Sequence, residues 1–376
     1  MQIQAAVIEE KGQEFQIVDM ELDEPGFGEV LVKVAACGVC HTDEIVRQQQ
    51  VPVPLPAVLG HEGCGVIEKV GPGVDGFQVG DRVGFSFSYC GTCEACRTGR
   101  PYGCFETGRL NFGGMQYDGT KRLRYKQAPV SNFFGQGAFA THAVVHQNNL
   151  IPADKEMPLP LVAPMGCGIQ TGAGAVFNYL KPEAGTSIII TGCGPVGLSA
   201  VMAAKIAGCS TIIACDIVDS RLELALELGA THVINSKNVA SVPEEVRKLT
   251  DGMGAHYAVD CTGSGECLRT SLNSTRMLGV CAAVGAAKQM TIVVDEELMG
   301  QVKTLGGVVE GNCIPQLFIP KLIRYYKQGR FPFDKMVKYY RFADINQAFA
   351  DTKAGGVIKA VLIMDDAFFK EVGMEP

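Results

Sequence analysis

The sequence has no long run of basic residues, and acidic side chains outnumber basic ones, 40 to 33. The formal net charge is −7 at neutral pH. Nucleic acids and anionic membranes are bound through clustered positive charge, which this chain does not have. We therefore expect neither of them as a partner.

The N-terminal residues also lack the basic segment and the apolar core of a secretory signal peptide. Residues 157–180 and 186–204 carry no charged side chain, and their lengths approach that of a membrane span. Prolines and glycines interrupt both stretches, so we expect buried elements joined by tight turns and no span. The 15 cysteines, odd in number and partly clustered, favour a reducing compartment, and the cytoplasm is the predicted location.

What the sequence does contain is typical of a globular chain of two or three domains: 376 residues, 47% hydrophobic and 19% charged. Residues 1–150 show short β-like runs separated by glycine turns, and we predict long loops over residues 97–136. From about residue 168, apolar strands alternate with helical patterns, which predicts an α/β domain with a doubly wound parallel sheet. Two more helices and a last strand are predicted after residue 312. There is no internal repeat.

The hexapeptide "GCGPVG" follows an apolar strand and opens a helix, as a dinucleotide-binding turn requires. Gly192 allows the tight turn, Gly194 lets the backbone approach a pyrophosphate, and Gly197 lets the helix pack closely on the strand. The N-terminus of the helix would then direct free N–H groups at the phosphates. Asp216 ends the next strand, where an acid accepts hydrogen bonds from the ribose and repels a 2′-phosphate, so we predict NAD in preference to NADP.

Four cysteines lie within one stretch of fifteen residues. They are Cys90, Cys93, Cys96 and Cys104. A disulfide framework fits poorly with a reducing compartment, and a redox motif usually has two cysteines. Four neighbouring thiolates suit a closed tetrahedral Zn²⁺ site, which would be structural; an iron–sulfur cluster is the alternative.

A second candidate ligand set is dispersed along the chain: Cys40 in "CGVCHTDE", His61 in "GHEGCG" and Cys167 in "PMGCGIQTG". Two cysteines and one histidine would leave a fourth position open, as in a catalytic zinc site. A single cysteine in an apolar stretch is usually a core residue, so spacing alone does not decide.

The stretch "GHEGCGVIEKVGPGV" resembles the signature of zinc-dependent medium-chain alcohol dehydrogenases. The motif "CGVCHTD", the four-cysteine cluster, "GCGPVG" with Asp216, and "GGVIKAVL" follow in the order of that family, over essentially the whole chain. The resemblance implies a GroES-like catalytic domain of residues 1–168, completed by residues 313–376, and a Rossmann domain of residues 169–312, with NAD and substrate bound in the cleft between them. It further implies two Zn²⁺ per chain, a catalytic one and a structural one held by the four-cysteine cluster.

Matched residue by residue, Cys40, His61 and Cys167 resemble the catalytic zinc ligands of the family. Four more positions resemble other site residues: Thr42 bonds the substrate oxygen, Asp43 orients the ligand histidine, Glu62 is the carboxylate near the metal, and Thr171 lies beside the nicotinamide. The implied reaction is a reversible hydride transfer from a primary alcohol to NAD, with a small alcohol or aldehyde as the partner molecule.

Two positions depart from the best-known members of the family. Ile45 stands where a histidine ends their proton relay, so the relay must end elsewhere. His41 stands where an arginine often contacts the pyrophosphate, and Lys359 matches a second phosphate-contacting position. With these features the chain most resembles bacterial aryl-alcohol (benzyl-alcohol) dehydrogenases, and a homotetramer is favoured over a dimer.

Several alternatives stay open at the level of sequence. A glutathione-dependent formaldehyde dehydrogenase would need a basic residue for the glutathione carboxylates, and Arg109, Lys121 and Arg122 are candidates. A broad-range aliphatic alcohol dehydrogenase has the same metal sites. A zinc-free quinone reductase would lack the dispersed ligand set, and a non-enzymatic zinc-ribbon module would not need the cofactor motif.

Overall fold

The computed structural model describes residues 1–375 and forms two compact units. The first comprises Met1–Cys167, Ile314–Ile323 and the described residues from Asp334 onward; the second comprises Gly168–Cys313 and Arg324–Phe333. The segment 313–376, predicted to complete the first domain as a whole, is therefore divided. The physical reason is packing, since the Tyr325 ring lies 5.8 Å from the Phe177 ring of the second unit.

The first unit is built mainly from short strands, as its glycine-rich alternating sequence predicts. Its strands before residue 168 are β1 (Gln2–Ile8), β2 (Gln16–Leu22), β3 (Glu29–Gly38), β4 (Ala57–Val58), β5 (Gly63–Val70), β6 (Arg82–Phe85), β7 (Leu123–Tyr125), β8 (Ala128–Asn132), β9 (His142–His146) and β10 (Leu150–Pro152). Its helices there are α1 (His41–Arg47), α2 (Glu94–Arg97) and α3 (Leu159–Val162).

The second unit alternates helices and strands. They are α4 (Gly168–Gly174), β11 (Ser187–Thr191), α5 (Pro195–Ala207), β12 (Thr211–Asp216), α6 (Asp219–Leu228), β13 (His232–Asn235), α7 (Val242–Lys248), β14 (Ala255–Asp260), α8 (Gly265–Asn273), β15 (Thr275–Ala283) and β16 (Thr304–Gly307). The C-terminal elements follow as α9 (Pro315–Lys327), β17 (Val337–Arg341), α10 (Ile345–Lys353) and β18 (Lys359–Ile363). Short π-helical turns cover Gly108–Phe112, Ala175–Leu180 and Asp295–Met299.

Two sheets form the first unit. One is a closed barrel in the order β1-β2-β7-β8-β4; the other has seven strands in the order β10-β6-β5-β3-β18-β17, with β9 also paired to β3. The prediction of long loops over residues 97–136 was wrong in part, because β7 and β8 close the barrel there. These strands are so short that they show no measurable alternation in the sequence.

The second unit contains one parallel sheet in the order β13-β12-β11-β14-β15-β16, which is the doubly wound Rossmann order. The fold class predicted from the sequence, a β-rich GroES-like domain plus a Rossmann domain, is thereby confirmed. Every residue of β11 is buried, which explains the apolar run of three isoleucines, residues 188–190, at its centre. None of the described helices is both long and apolar enough to cross a bilayer.

Candidate metal and cofactor sites

The fold of the first unit brings the dispersed candidate ligands together. Cys40 precedes α1, His61 and Glu62 precede β5, and Cys167 ends the continuous part of the unit. One ligand atom from each of these four side chains lies within 4.8 Å of all the others. Residues far apart in sequence thus converge on one point, which suits a metal centre.

His61 is held in one orientation by a buried carboxylate. Its Nδ1 lies 3.1 Å from Asp43 Oδ1, which also accepts the Gly60 N–H at 3.0 Å. The other carboxylate oxygen, Oδ2, accepts the Cys40 N–H at 3.2 Å. With Nδ1 occupied, Nε2 is buried and has no hydrogen-bond partner within residues 1–375. An unsatisfied ring nitrogen next to two cysteines fits a Zn²⁺ ligand, and the carboxylate–histidine pair is typical of such sites.

The electrostatics of this centre favour a thiolate. A hydrogen bond from Cys167 lowers the pKa of Cys40 well below its usual range, although burial opposes the shift. Burial alone would lower the pKa of His61, but the charges and hydrogen bonds of Asp43 and Cys40 together outweigh it and hold that pKa well above its usual value. The raised pKa of His61 reflects the negative groups that face its ring, and a divalent cation bound there would take the place of the proton.

Glu62 and Lys359 form a buried ion pair beside the ligand set. Burial raises the pKa of Glu62 to about 7, against the opposing effect of the Lys359 ammonium. Burial would lower the pKa of Lys359, but the Glu62 carboxylate together with Cys40 and Cys167 outweighs it and raises that pKa. Lys359 Nζ also donates to the Val39 carbonyl at 3.0 Å. The sequence predicts Lys359 as a phosphate contact, which stays a prediction; its pairing with Glu62 was missed.

The remaining predicted residues of this region lie in the first turns of α1. Thr42 is half-buried, and its Oγ1 lies 3.6 Å from Cys40 Sγ. His41 is exposed and lines a cavity of about 440 Å³ together with Cys40, Glu44 and Arg47. Thr42 is thus close to the ligand set, while His41 faces an opening at the surface of the same unit.

Four buried phenylalanines of the first unit differ in how they relate to the ligand set; they are Phe133, Phe134, Phe85 and Phe87. Phe133 and Phe134 pack on His61, with ring centroids 5.3 and 4.8 Å away. Phe85 is fully buried below Gly63, and Phe87 packs near Tyr89. Of these four residues, only Phe133 and Phe134 have rings in contact with a member of the ligand set.

The four-cysteine cluster also comes together in a small lobe around α2. One sulfur from each cysteine lies within 4.8 Å of the other three. Cys90 Sγ accepts N–H groups from Thr92 and Cys93 at 3.4 and 3.3 Å, and Cys104 Sγ accepts the Cys90 N–H at 3.2 Å. Burial would raise the pKa of Cys90, but hydrogen bonds led by those from Thr92 lower it to about 6. All 15 cysteines are free, so the cluster contains no disulfide.

The glycine turn of the second unit has the geometry that its sequence predicts. Gly192 has a φ of 90°, in the region that favours glycine. A Cβ added to Gly197 would lie 1.8 Å from the Gly192 carbonyl oxygen, so only glycine fits there. A Cβ at Gly194 would meet nothing within 4 Å, which leaves open space at the N-terminus of α5. Such a cradle fits a pyrophosphate.

Asp216 lies at the carboxyl end of β12, on the edge of a cavity of about 590 Å³ that Gly192 and Thr262 also line. Its Oδ2 accepts the Cys193 N–H at 2.6 Å, and its Oδ1 accepts the Ile217 N–H at 2.7 Å. The carboxylate is thus fixed beside a space large enough for the adenosine half of a dinucleotide. Thr171 lies in α4 and is half-buried.

Replacing Asp216 with glycine is expected to narrow the preference for NAD over NADP by about tenfold or more, since each tenfold step corresponds to ~1.4 kcal/mol. The change removes the charge that a 2′-phosphate would have to approach. Initial rates with both cofactors measure it, and the effect should fall mainly on KM. Asp219→Asn is the matched control, because Asp219 is exposed and pairs with Asn235 at 2.6 Å. Equal efficiency of the wild-type protein with NAD and NADP would contradict this role.

A GroES-like barrel unit with a convergent Cys–His–Cys set, and a Rossmann unit with a glycine cradle, define a dehydrogenase of the medium-chain class. Family models for the alcohol dehydrogenase GroES-like domain and for zinc-binding dehydrogenases match residues 26–155 and 195–325. The chain belongs to the zinc-binding alcohol dehydrogenase family and is an oxidoreductase that acts on CH–OH groups.

Three relatives illustrate the similarity. Geraniol dehydrogenase of Castellaniella defragrans is 40% identical over 367 residues, 96% of this chain and 97% of the relative. The crystal structure of benzyl alcohol dehydrogenase from Acinetobacter calcoaceticus matches with a TM-score of 0.93 and 47% identity, over 97% of this chain and all of the other. S-(hydroxymethyl)glutathione dehydrogenase of Paracoccus denitrificans is 31% identical over 376 residues, 96% of this chain and 100% of the relative. The predicted resemblance to bacterial aryl-alcohol dehydrogenases is thus confirmed as a similarity of sequence and fold.

Proposed function

We propose that this chain oxidises a primary aromatic alcohol of the benzyl type to its aldehyde, reversibly, with NAD as hydride acceptor and two Zn²⁺ per chain. The observation that carries the proposal is the convergence of Cys40, His61 and Cys167 beside Glu62, with His61 Nε2 left without a partner among the described side chains. Three such ligands leave one coordination position for a substrate oxygen.

The residues of the chain have separable roles in this reaction. Cys40, His61 and Cys167 would hold a Zn²⁺, which supplies Lewis acidity toward the alcohol oxygen. The glycine cradle and Asp216 would hold NAD, which takes up the hydride. The Thr42 hydroxyl, next to Cys40, would accept the proton of the alcohol while it gives up its own proton toward water.

Other side chains orient the metal ligands, bound the path of the proton and balance charge. Asp43 keeps His61 in one tautomer and orientation through the Nδ1 contact. Ile45 cannot carry a proton, so we place the exit of the proton in the cavity beside His41, where water has access. Glu62 and Lys359 balance each other's charge in the buried interior.

The choice of substrate rests on two supports. Two of the three named relatives carry the names of benzyl alcohol and geraniol, primary alcohols whose carbinol carbon is attached to an sp² carbon. The aromatic rings of Phe133 and Phe134 also lie against His61. A formaldehyde–glutathione activity is less well supported, because each basic candidate has a local partner. Arg109 pairs with Glu106, Arg122 pairs with Glu29 and Asp118, and Lys121 donates to Ser131.

A substrate panel with NAD tests this proposal. We expect the highest kcat/KM with benzyl and cinnamyl alcohol, a lower value with hexanol and the lowest with ethanol. Formaldehyde is measured with and without glutathione in the same assay. A rate with formaldehyde that requires glutathione and exceeds the benzyl alcohol rate would replace the proposal with the formaldehyde alternative. A preference for hexanol would favour a broad-range aliphatic enzyme.

Assembly as a homo-oligomer, with a tetramer favoured over a dimer, and the cytoplasmic location stay predictions. The second unit exposes large apolar side chains next to its edge strand β16, which supports an interface between copies. They are Met277, Leu278, Met299 and Val302.

A further inference from the structure

The turn that follows β16 has a strained backbone. Glu310, Gly311 and Asn312 succeed one another with φ values of 50°, 65° and 47°. Glycine adopts this left-handed region freely, but glutamate and asparagine do so only at a cost in free energy. Such conformations persist where the surroundings impose them, and they are concentrated at ligand sites.

The surroundings of this turn are well defined. Gln170, which is fully buried in α4, donates from Nε2 to the Glu310 carboxylate at 2.8 Å. Asn178 donates to the Gly311 carbonyl at 2.9 Å. The backbone of the turn also packs closely on α4, because a Cβ on Gly311 would lie 2.3 Å from the Gln170 carbonyl oxygen. The turn therefore cannot shift without breaking its contacts with α4 and the residues that follow it.

The position of the turn in the Rossmann sheet points to a function. Strands β11 to β13 form the half that carries the glycine cradle and Asp216, which suit the ADP part of a dinucleotide. Strands β14 to β16 form the other half, and their carboxyl ends face the second nucleotide in this fold. The turn begins three residues after Gly307, the carboxyl end of β16.

We propose that Gln170 and Glu310 are positioning residues for the nicotinamide half of the cofactor. Their hydrogen bond keeps the 310–312 turn in its left-handed conformation, and the turn shapes the space that receives the nicotinamide ring. The inference rests on the proposed use of NAD and extends it to residues that the glycine motif does not contain. It requires that loss of the pair weakens binding of the nicotinamide part and leaves binding of the ADP part unchanged.

Isothermal titration of the full-length protein with NAD and with ADP-ribose, which lacks the nicotinamide, separates these two parts. We expect Gln170→Met and Glu310→Ala to weaken NAD about tenfold, equivalent to ~1.4 kcal/mol, and to change ADP-ribose affinity by less than about twofold. Glu310→Gln should bind NAD nearly as well as wild type, because its amide oxygen still accepts from Gln170. Methionine fills the volume of the buried Gln170, so that variant keeps the packing.

Asn273→Ala is the matched control, since it removes another amide–carboxylate bond of the same unit, from Asn273 to Glu297 at 2.8 Å. It should leave both affinities unchanged. Equal weakening of NAD and ADP-ribose in the Gln170 and Glu310 variants would show a general structural role and overturn the inference, as would unchanged NAD affinity. Wild-type protein that binds neither molecule would instead refute the proposed function, and the inference with it.

Discussion

Cys167→Ser is expected to lower the turnover number for alcohol oxidation by at least about 10³-fold while the protein stays folded. Loss of a residue that merely orients a metal ligand typically costs ~10–100-fold in affinity or activity, so loss of a ligand should cost more. Cys167 lies within 4.8 Å of the other three members of its set, and its hydrogen bond to Cys40 is the largest influence that lowers the pKa of Cys40. Its removal therefore weakens two ligands at once.

Metal analysis of the purified variant, together with steady-state kinetics, measures this effect. The zinc content should fall from two to one per chain, and the melting temperature should stay close to that of wild type. Cys209→Ser serves as the control, because Cys209 is buried outside both clusters and its Sγ only approaches Thr186 Oγ1 at 3.9 Å. A single zinc in the wild-type protein, or an active Cys167→Ser variant, would be incompatible with the assigned centre.

Cys96→Ser is expected to act on stability and to leave the chemistry of the remaining folded molecules unchanged. In the lobe around α2 the backbone has few buried side chains of its own; α2 contains none. Four thiolates with one cation would then supply much of the free energy that orders it, as in small zinc domains. We expect the melting temperature to fall by more than about 5 °C, given ~2–4 °C per kcal/mol for a unit of 150–250 residues.

Calorimetry and soluble yield measure this loss, again with Cys209→Ser as the control. The zinc content should fall to one per chain, and kcat per remaining catalytic zinc should be close to that of wild type. A Cys96→Ser protein that keeps its melting temperature would show that the lobe needs no metal. An iron–sulfur cluster in wild-type protein would be recognised by its visible absorption and would replace zinc in this lobe.

Sequence reasoning succeeded where the signals are local. The Gly192, Gly194 and Gly197 spacing and the acid at Asp216 lie within one strand–helix–strand unit, so the turn and its neighbouring elements could be predicted together. In the structure a Cβ would clash at Gly197 and would meet open space at Gly194, as the predicted roles of these two glycines require. The four-cysteine cluster is equally local, and its members do lie together.

Sequence reasoning failed to predict contacts between residues that are distant along the chain. Strands β7 and β8 have only three and five residues, and they form strands because they pair with β2 and β4, which are distant in sequence. The ion pair of Lys359 with Glu62 joins two separate strand regions, and its only sequence signal is a lone lysine in the apolar run "VIKAVLIM". The contact of Gln170 with Glu310 had no local signal at all.

The two cysteine-containing ligand sets also differ in when they can assemble during folding. The four thiols of the α2 lobe lie within fifteen residues, so closing that loop costs little chain entropy and can occur before the barrel exists. The other set runs from Cys40 to Cys167 and has high contact order, since its ligands meet only after β3, β5 and the segment before α4 have packed. Metal uptake during synthesis should therefore be ordered, with the lobe loaded first. Under metal limitation the chain would accumulate as a folded but inactive species that later addition of zinc activates.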